Sequence, residues 1–143
     1  MSNPRASLTL SLLQARDASM AFFRPLLNQH GLTEQQWRVI RILYEEGELE
    51  CYQLAQRACI LKPSMTGVLR RLERDGLVRR CKSTQDQRRI NVSLAEPGQQ
   101  CFLALCESME RSDLKLQQQF GQKKWRRLLE LLDELKALDP PAS

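Results

Sequence analysis

At 143 residues the chain is the size of one domain, and 42% hydrophobic with 27% charged residues suffices for a core. No apolar run approaches the ~18 residues of a membrane span. A single histidine, and five cysteines that never form a CxxC pair, leave no zinc framework and no nucleophile–base couple, so neither metal, cofactor nor catalytic residues are expected.

The first element covers about 7–31. Leu8, Leu12, Ala15, Phe22, Leu26 and Leu27 recur at roughly helical intervals, Pro25 should kink or break the helix, and His30-Gly31 suits its end. This apolar face is richer than a solvated helix needs, which fits packing on another chain. The preceding residues have no sustained apolar core and no small-residue cleavage site, so no secretory leader is expected and the chain reads as cytoplasmic.

Thr33, with Gln36 three residues on, makes a capping-box start for a second helix whose buried face is Trp37, Ile40, Leu43 and Tyr44. The acidic run 45–48 ends it. A short helix follows at about 52–58, with Leu54 and Ala55 inward. Cys59-Ile60-Leu61 then turns into a further helix, where Met65, Val68, Leu69 and Leu72 form one apolar stripe. Pro63 suits its first turn and Gly76 its end. The opposite side carries Pro63, Gly67, Arg70 and Arg74, flanked by Thr66 and Arg71. Two helices joined by a tight turn, the second basic outward, form a helix-turn-helix signature.

Leu77 to Cys81, a polar tip from Lys82 to Gln87, and the alternation of Ile90, Val92 and Leu94 then read as a hairpin. A long helix from Glu96-Pro97-Gly98 to about Gln119 carries Cys101, Leu105, Met109 and Leu116. A last one, about 123–138, carries Trp125, Leu128, Leu129, Leu132 and Leu135, with Gly121 between them.

Residues 62–92 hold nine Lys/Arg against three acids, whereas 1–61 hold six of each and 93–143 seven against eight. The +5 of the whole chain is therefore concentrated in the basic helix and the hairpin. A solvated charged face is the bland reading. The attached hairpin and the neutral remainder favour duplex DNA, with the helix in the major groove and the tip in the adjacent minor groove. The stretch contains no Phe, Tyr or Trp, which argues against stacking on single-stranded RNA. The expected fold is mainly α: a winged helix-turn-helix with a small β-hairpin wing over 33–94, flanked by dimerisation helices at 7–31 and 96–138, all in one domain of 1–143. Two copies would set two basic helices about one helical turn (~34 Å) apart, matching a palindromic operator.

The runs LTEQQWRVIRIL (32–43), PSMTGVLRRLERDGLVRR (63–80) and DQRRINVSL (86–94) resemble the MarR-type transcriptional regulators. LLQARD (12–17), FRPLL (23–27) and RACILKPSMTG (57–67) are similar, more narrowly, to the repressors of homoprotocatechuate-degradation operons, which govern breakdown of 4-hydroxyphenylacetate and related aromatic acids. The resemblance implies that Ser64, Thr66, Gly67 and Arg70 face base edges. It implies that Arg71, Arg74, Arg79 and Lys82 meet phosphates. Arg88 matches a wing arginine that enters the minor groove, and Asp86 matches the acid that orients it; Asp86 reads equally as a loop cap.

The resemblance further implies a small aromatic carboxylate as effector, bound where the dimer-forming helices meet the winged unit. Candidates are Arg16 for charge, which reads equally as an ion-pair partner of Asp17. Trp37 and Arg41, one helical turn apart, offer wall and charge, although Trp37 suits the core better. His30 offers a proton acceptor, although it reads more readily as a helix-end group. A thiol-based redox regulator of the same fold is the alternative. Its reactive cysteine would be expected in the first helix, and this chain has none before Cys51.

Overall fold

Ser7 opens the first helix by accepting the backbone N–H of Leu10 on its hydroxyl at 3.3 Å, and α1 runs over Leu8–Met20. The structure, a computed structural model, describes residues 7–86 and 88–142. The helix expected over 7–31 is broken, as Pro25 suggested, and the break falls just ahead of that proline. Residues 21–23 form a turn, and α2 (Arg24–Gln29) restarts with Pro25 in its first turn, where a missing N–H costs nothing.

The capping box at α3 (Glu34–Glu46) is complete. Thr33 Oγ1 accepts the N–H of Gln36 at 3.1 Å, and Gln36 Oε1 accepts that of Thr33 at 2.9 Å. Trp37, Ile40 and Leu43 are buried. Tyr44, expected with them, is 42% exposed: only one ring face is covered, by Phe102 at 4.0 Å.

A two-residue strand, β1 (Leu49–Glu50), precedes α4 (Cys51–Ala58), α5 (Lys62–Arg74), β2 (Val78–Lys82) and β3 (Ile90–Leu94). The wing is thus a three-stranded antiparallel sheet in the order β1-β3-β2 rather than a bare hairpin. Leu49 pairs with Val92, and β2 with β3 from Val78–Leu94 to Lys82–Ile90. Val78 and Val92 point into the core, whereas Ile90, at the outer end, is 40% exposed. Helix α6 (Glu96–Phe120) and helix α7 (Gln122–Lys136) follow, separated by Gly121 at φ +106°.

The chain divides into two compact units. Residues 24–109 enclose a core in which Ile40, Leu54, Leu72, Val92 and Leu105 are fully buried. Residues 7–23 with 110–142 form the other, and none of the described residues of α1 or α7 is buried. Leu8, Leu10 and Leu13 of α1 and Leu128, Leu129 and Leu131 of α7 are all exposed.

The wing is anchored at its base by Gly98. Ala95 donates its N–H to the Leu77 carbonyl at 3.0 Å, bringing the first turn of α6 hard against the residue that leads into β2. A Cβ on Gly98 would fall on that carbonyl and within 2.8 Å of Leu94 Cδ2. Backbone cannot yield as a side chain does, so overpacking here falls at the upper end of the usual 1–3 kcal/mol. Gly98→Ala is expected to lower the unfolding free energy by about 3 kcal/mol, read as a lower urea midpoint at unchanged slope.

Candidate nucleic-acid interface

The helix-turn-helix is set by α4, its turn and α5. Cys59 ends α4 in the left-handed conformation (φ +54°), which lets Ile60 return its N–H to Ala55 O at 3.0 Å and bury its side chain. From α3, Arg38 holds Glu34 through both carboxylate oxygens and donates to the Ala58 carbonyl, so the last turn of α4 is capped by a side chain.

Helix α5 buries the predicted stripe: Met65, Val68, Leu69 and Leu72 are all at most 5% exposed. Pro63, Ser64, Thr66, Arg70, Arg71 and Arg74 are exposed as a consequence. Thr66 Oγ1 bonds back to Lys62 O at 3.2 Å, and Arg74 Nε sits 3.3 Å from Asp75. Among the described residues Arg70, Arg71 and Arg79 have no acidic partner. Gly67 sits mid-helix, and a Cβ built on it would meet nothing within 4 Å. Packing within this chain gives no reason for glycine there, although a helix-interior glycine costs about 1 kcal/mol relative to alanine.

On the wing, Asp86 caps the turn and touches the Arg88 side chain. Its Oδ1 accepts the backbone N–H of Arg88 at 3.0 Å, closing the turn, and lies 3.5 Å from Arg88 Nε. The Arg88 side chain is nevertheless 92% exposed. Of the neighbouring cations, Arg89 also lies 3.7 Å from the second Asp86 oxygen, and both it and Arg80 reach other acids. Arg89 reaches back 3.1 Å to Glu50 of β1, and Arg80 makes a two-pronged pair with Glu73 of α5 at 3.0 Å on each prong. Sequence reading counted both only as charge; their partners lie far along the chain or in another element. The Arg80 guanidinium holds the Glu73 carboxyl below its ordinary value.

The effector candidates are dispersed. Trp37 is buried, stacked on Phe102 at 5.4 Å with 10° between ring planes. Arg41, one turn on, is exposed and paired with Glu45 at 3.0 Å. His30 is exposed, and its Nδ1 lies 3.1 Å from Leu26 O at the end of α2, a helix-end contact. Arg16 lies on the exposed side of α1, in the other unit.

Residues 32–90 match the model of the MarR family. A homoprotocatechuate degradative operon repressor of Escherichia coli is 48% identical over 132 residues, 92% of this chain and 89% of that protein. Among solved structures, the transcriptional regulator PA4135 is 65% identical at a TM-score of 0.91, covering 95% of this chain and 100% of that one. NadR in complex with 4-hydroxyphenylacetate is 42% identical at a TM-score of 0.81, covering 97% and 99%.

Gly67→Ala is expected to act with opposite signs on two readouts. Unfolding free energy rises by about 1 kcal/mol while DNA affinity falls, because the added methyl group stands outward on the basic face. The Glu73–Arg80 pair predicts a pH dependence. A carboxyl held below its ordinary value stabilises the fold above the ordinary carboxylate range and loses that contribution as pH falls through the depressed value. Glu73→Gln should therefore melt below the parent at pH 7, with the gap closing on acidification past pH ~4.

Proposed function

Because the chain belongs to the MarR family, we propose that it is a dimeric, sequence-specific repressor of an aromatic-acid catabolic operon, released by a small aromatic carboxylate of the 4-hydroxyphenylacetate class. The observation that carries the DNA half is the outward face of α5. Ser64, Thr66, Gly67 and Arg70 stand clear of the protein's own packing, and Arg88 on the wing tip is 92% exposed. Arginine grips guanine by two hydrogen bonds, serine and threonine adapt to either partner, and glycine lets backbone come close. Pro63 starts the helix in this register. Arg71 and Arg74 face phosphates, which position the helix without specifying sequence. Arg88, steadied by Asp86, enters the minor groove.

Within one domain of 1–143, residues 33–94 read DNA, and the flanking helices of 7–31 and 96–138 pair two copies. The exposed leucines of α1 and α7 support that pairing, since a lone copy leaves them in water. A two-fold dimer reads a palindromic operator. The work of such a protein is in the cytoplasm. No described helix is long and apolar enough to cross a membrane, and DNA reading calls on no cofactor.

For the effector, the E. coli relative is a homoprotocatechuate operon repressor and NadR holds 4-hydroxyphenylacetate. Trp37 and Arg41 offer an apolar wall and a cation one turn apart, the pair an aromatic carboxylate needs. Arg16 and His30 are further candidates, each to be tested by substitution. Redox sensing is less well supported. Burial pushes the Cys51 and Cys101 thiols up, away from the reactive thiolate.

The test is release of the protein from its operator. 4-Hydroxyphenylacetate should dissociate the complex and raise the melting temperature of free protein, whereas peroxide should do neither; the reverse pattern would make the chain a redox regulator. Arg88→Ala should weaken operator binding at least tenfold with the dimer intact. Arg71→Ala should weaken specific and nonspecific duplexes alike and flatten the salt slope by about one unit.

A further inference from the structure

A helix in the major groove and a wing in the flanking minor groove are separated by one strand of the duplex. The protein surface between them must receive that strand. In this structure the surface is a trough. Three hollows of about 330, 450 and 470 Å³ open side by side, and Tyr52, near the start of α4, lines all of them. The first lies between α4, α5 and the wing strands, walled by Thr66, Arg80 and Ile90. The second runs toward the tip, past Arg88 and Arg89. The third follows the helix-turn-helix turn to Lys62. Tyr52 and Ile90 are 53% and 40% exposed. The one acid on the trough, Glu50, is already paired with Arg89.

We infer that the trough is the seat of one DNA strand's sugar–phosphate backbone, with the deoxyriboses on Tyr52 and Ile90 and the phosphates held by Lys62 and the Tyr52 hydroxyl. The chemistry alternates as a strand does. The middle is apolar, with exposed cations at both ends: Lys62 where α5 begins and Arg88 at the tip. A phenol donates a hydrogen bond to a phosphate oxygen, and a charged acceptor makes that bond stronger than a neutral one. Ile90 on the wing is 40% exposed although its strand neighbour Val92 is fully buried. The inference rests on the DNA-binding reading above and adds Tyr52, Ile90 and Lys62 to the contact surface.

The experiment measures binding of Tyr52→Phe, Ile90→Glu, Ile90→Val and Lys62→Gln to the tightest palindromic duplex selected from a random pool, across a series of salt concentrations. Tyr52→Phe should weaken binding about tenfold with the salt slope unchanged. Lys62→Gln should flatten the slope by about one unit. Ile90→Glu should weaken specific and nonspecific binding at least 100-fold, because a carboxylate then stands in the path of the phosphates. Ile90→Val, which keeps most of the apolar contact, should lose far less than Ile90→Glu. A single methylphosphonate, walked along the strand between the two grooves, supplies a readout independent of folding. At one position the parent should lose about tenfold and Tyr52→Phe should lose nothing more. If Arg70→Ala and Arg88→Ala abolish binding while Tyr52→Phe and Lys62→Gln match the parent at every methylphosphonate position, the trough is empty and the inference is overturned. If Arg70→Ala and Arg88→Ala also bind like the parent, the DNA reading itself falls.

Discussion

The outward face of α5 is decided by its inward one. Met65, Val68, Leu69 and Leu72 are nearly or fully out of water, and removing such side chains from solvent is worth roughly 1.5–3 kcal/mol each. Turning the helix by one residue, about 100°, would pull this stripe from the core and push arginines or Gly67 into it. No surface contact competes with that. Exposed ion pairs contribute about 0–1 kcal/mol, so burial sets the rotation of α5 and with it the direction of Ser64, Thr66, Gly67 and Arg70. The reading face is a by-product of core packing.

The weaker polar contacts have a different task. Burial fixes α5 but says little about the angle of a three-stranded wing whose outer end stands in solvent. Glu73–Arg80 ties α5 to β2, and Glu50–Arg89 ties β1 to the tip, while Asn91 Nδ2 reaches Glu48 at 3.3 Å. Each is small in energy, yet together they tie the wing to α5 on one side and brace its strands on the other. Two of the nine cations of residues 62–92 are thereby used inside the protein. The counted charge overstates what a duplex meets, and the positions left outward matter more than the sum.

What the residues announced in advance was local. The stripe of α5, the Thr33–Gln36 box and Gly76 at φ +75° depend on neighbours within a few positions, and all were readable. The departures depend on distance. β1 has two residues, too few to show a period, and exists only because Leu49 meets Val92 more than forty positions later. Tyr44 and Ile90 keep their expected sides, but they sit at the edge of the core and stay 42% and 40% exposed. The same division runs through the function. The basic face falls in one run of chain, 62–92, and was legible there, whereas effector candidates come from α1, α3 and the end of α2, and no periodicity joins them. Tyr52 lies outside the basic stretch, and Ile90 and Lys62, which line the same hollow, are 38 and 10 positions away from it in the chain.

Two residues defy local preference without any packing reason. Gly67 weakens the helix it sits in, and Cys59 occupies a left-handed position that costs a residue with a Cβ about 1 kcal/mol or more. Both lie within the helix-turn-helix, and both are compatible with its backbone only because the stripe of α5 and the burial of Ile60 overdetermine the turn. Stability alone would place alanine at 67 and glycine at 59. Where a chain departs from the residue its own fold prefers, and the departing residue faces outward, the preference is set by something outside the chain. In the DNA-binding reading proposed above, that something for Gly67 is a duplex surface pressed against the helix backbone, and the open space around its missing Cβ then belongs to the interface as much as any arginine does.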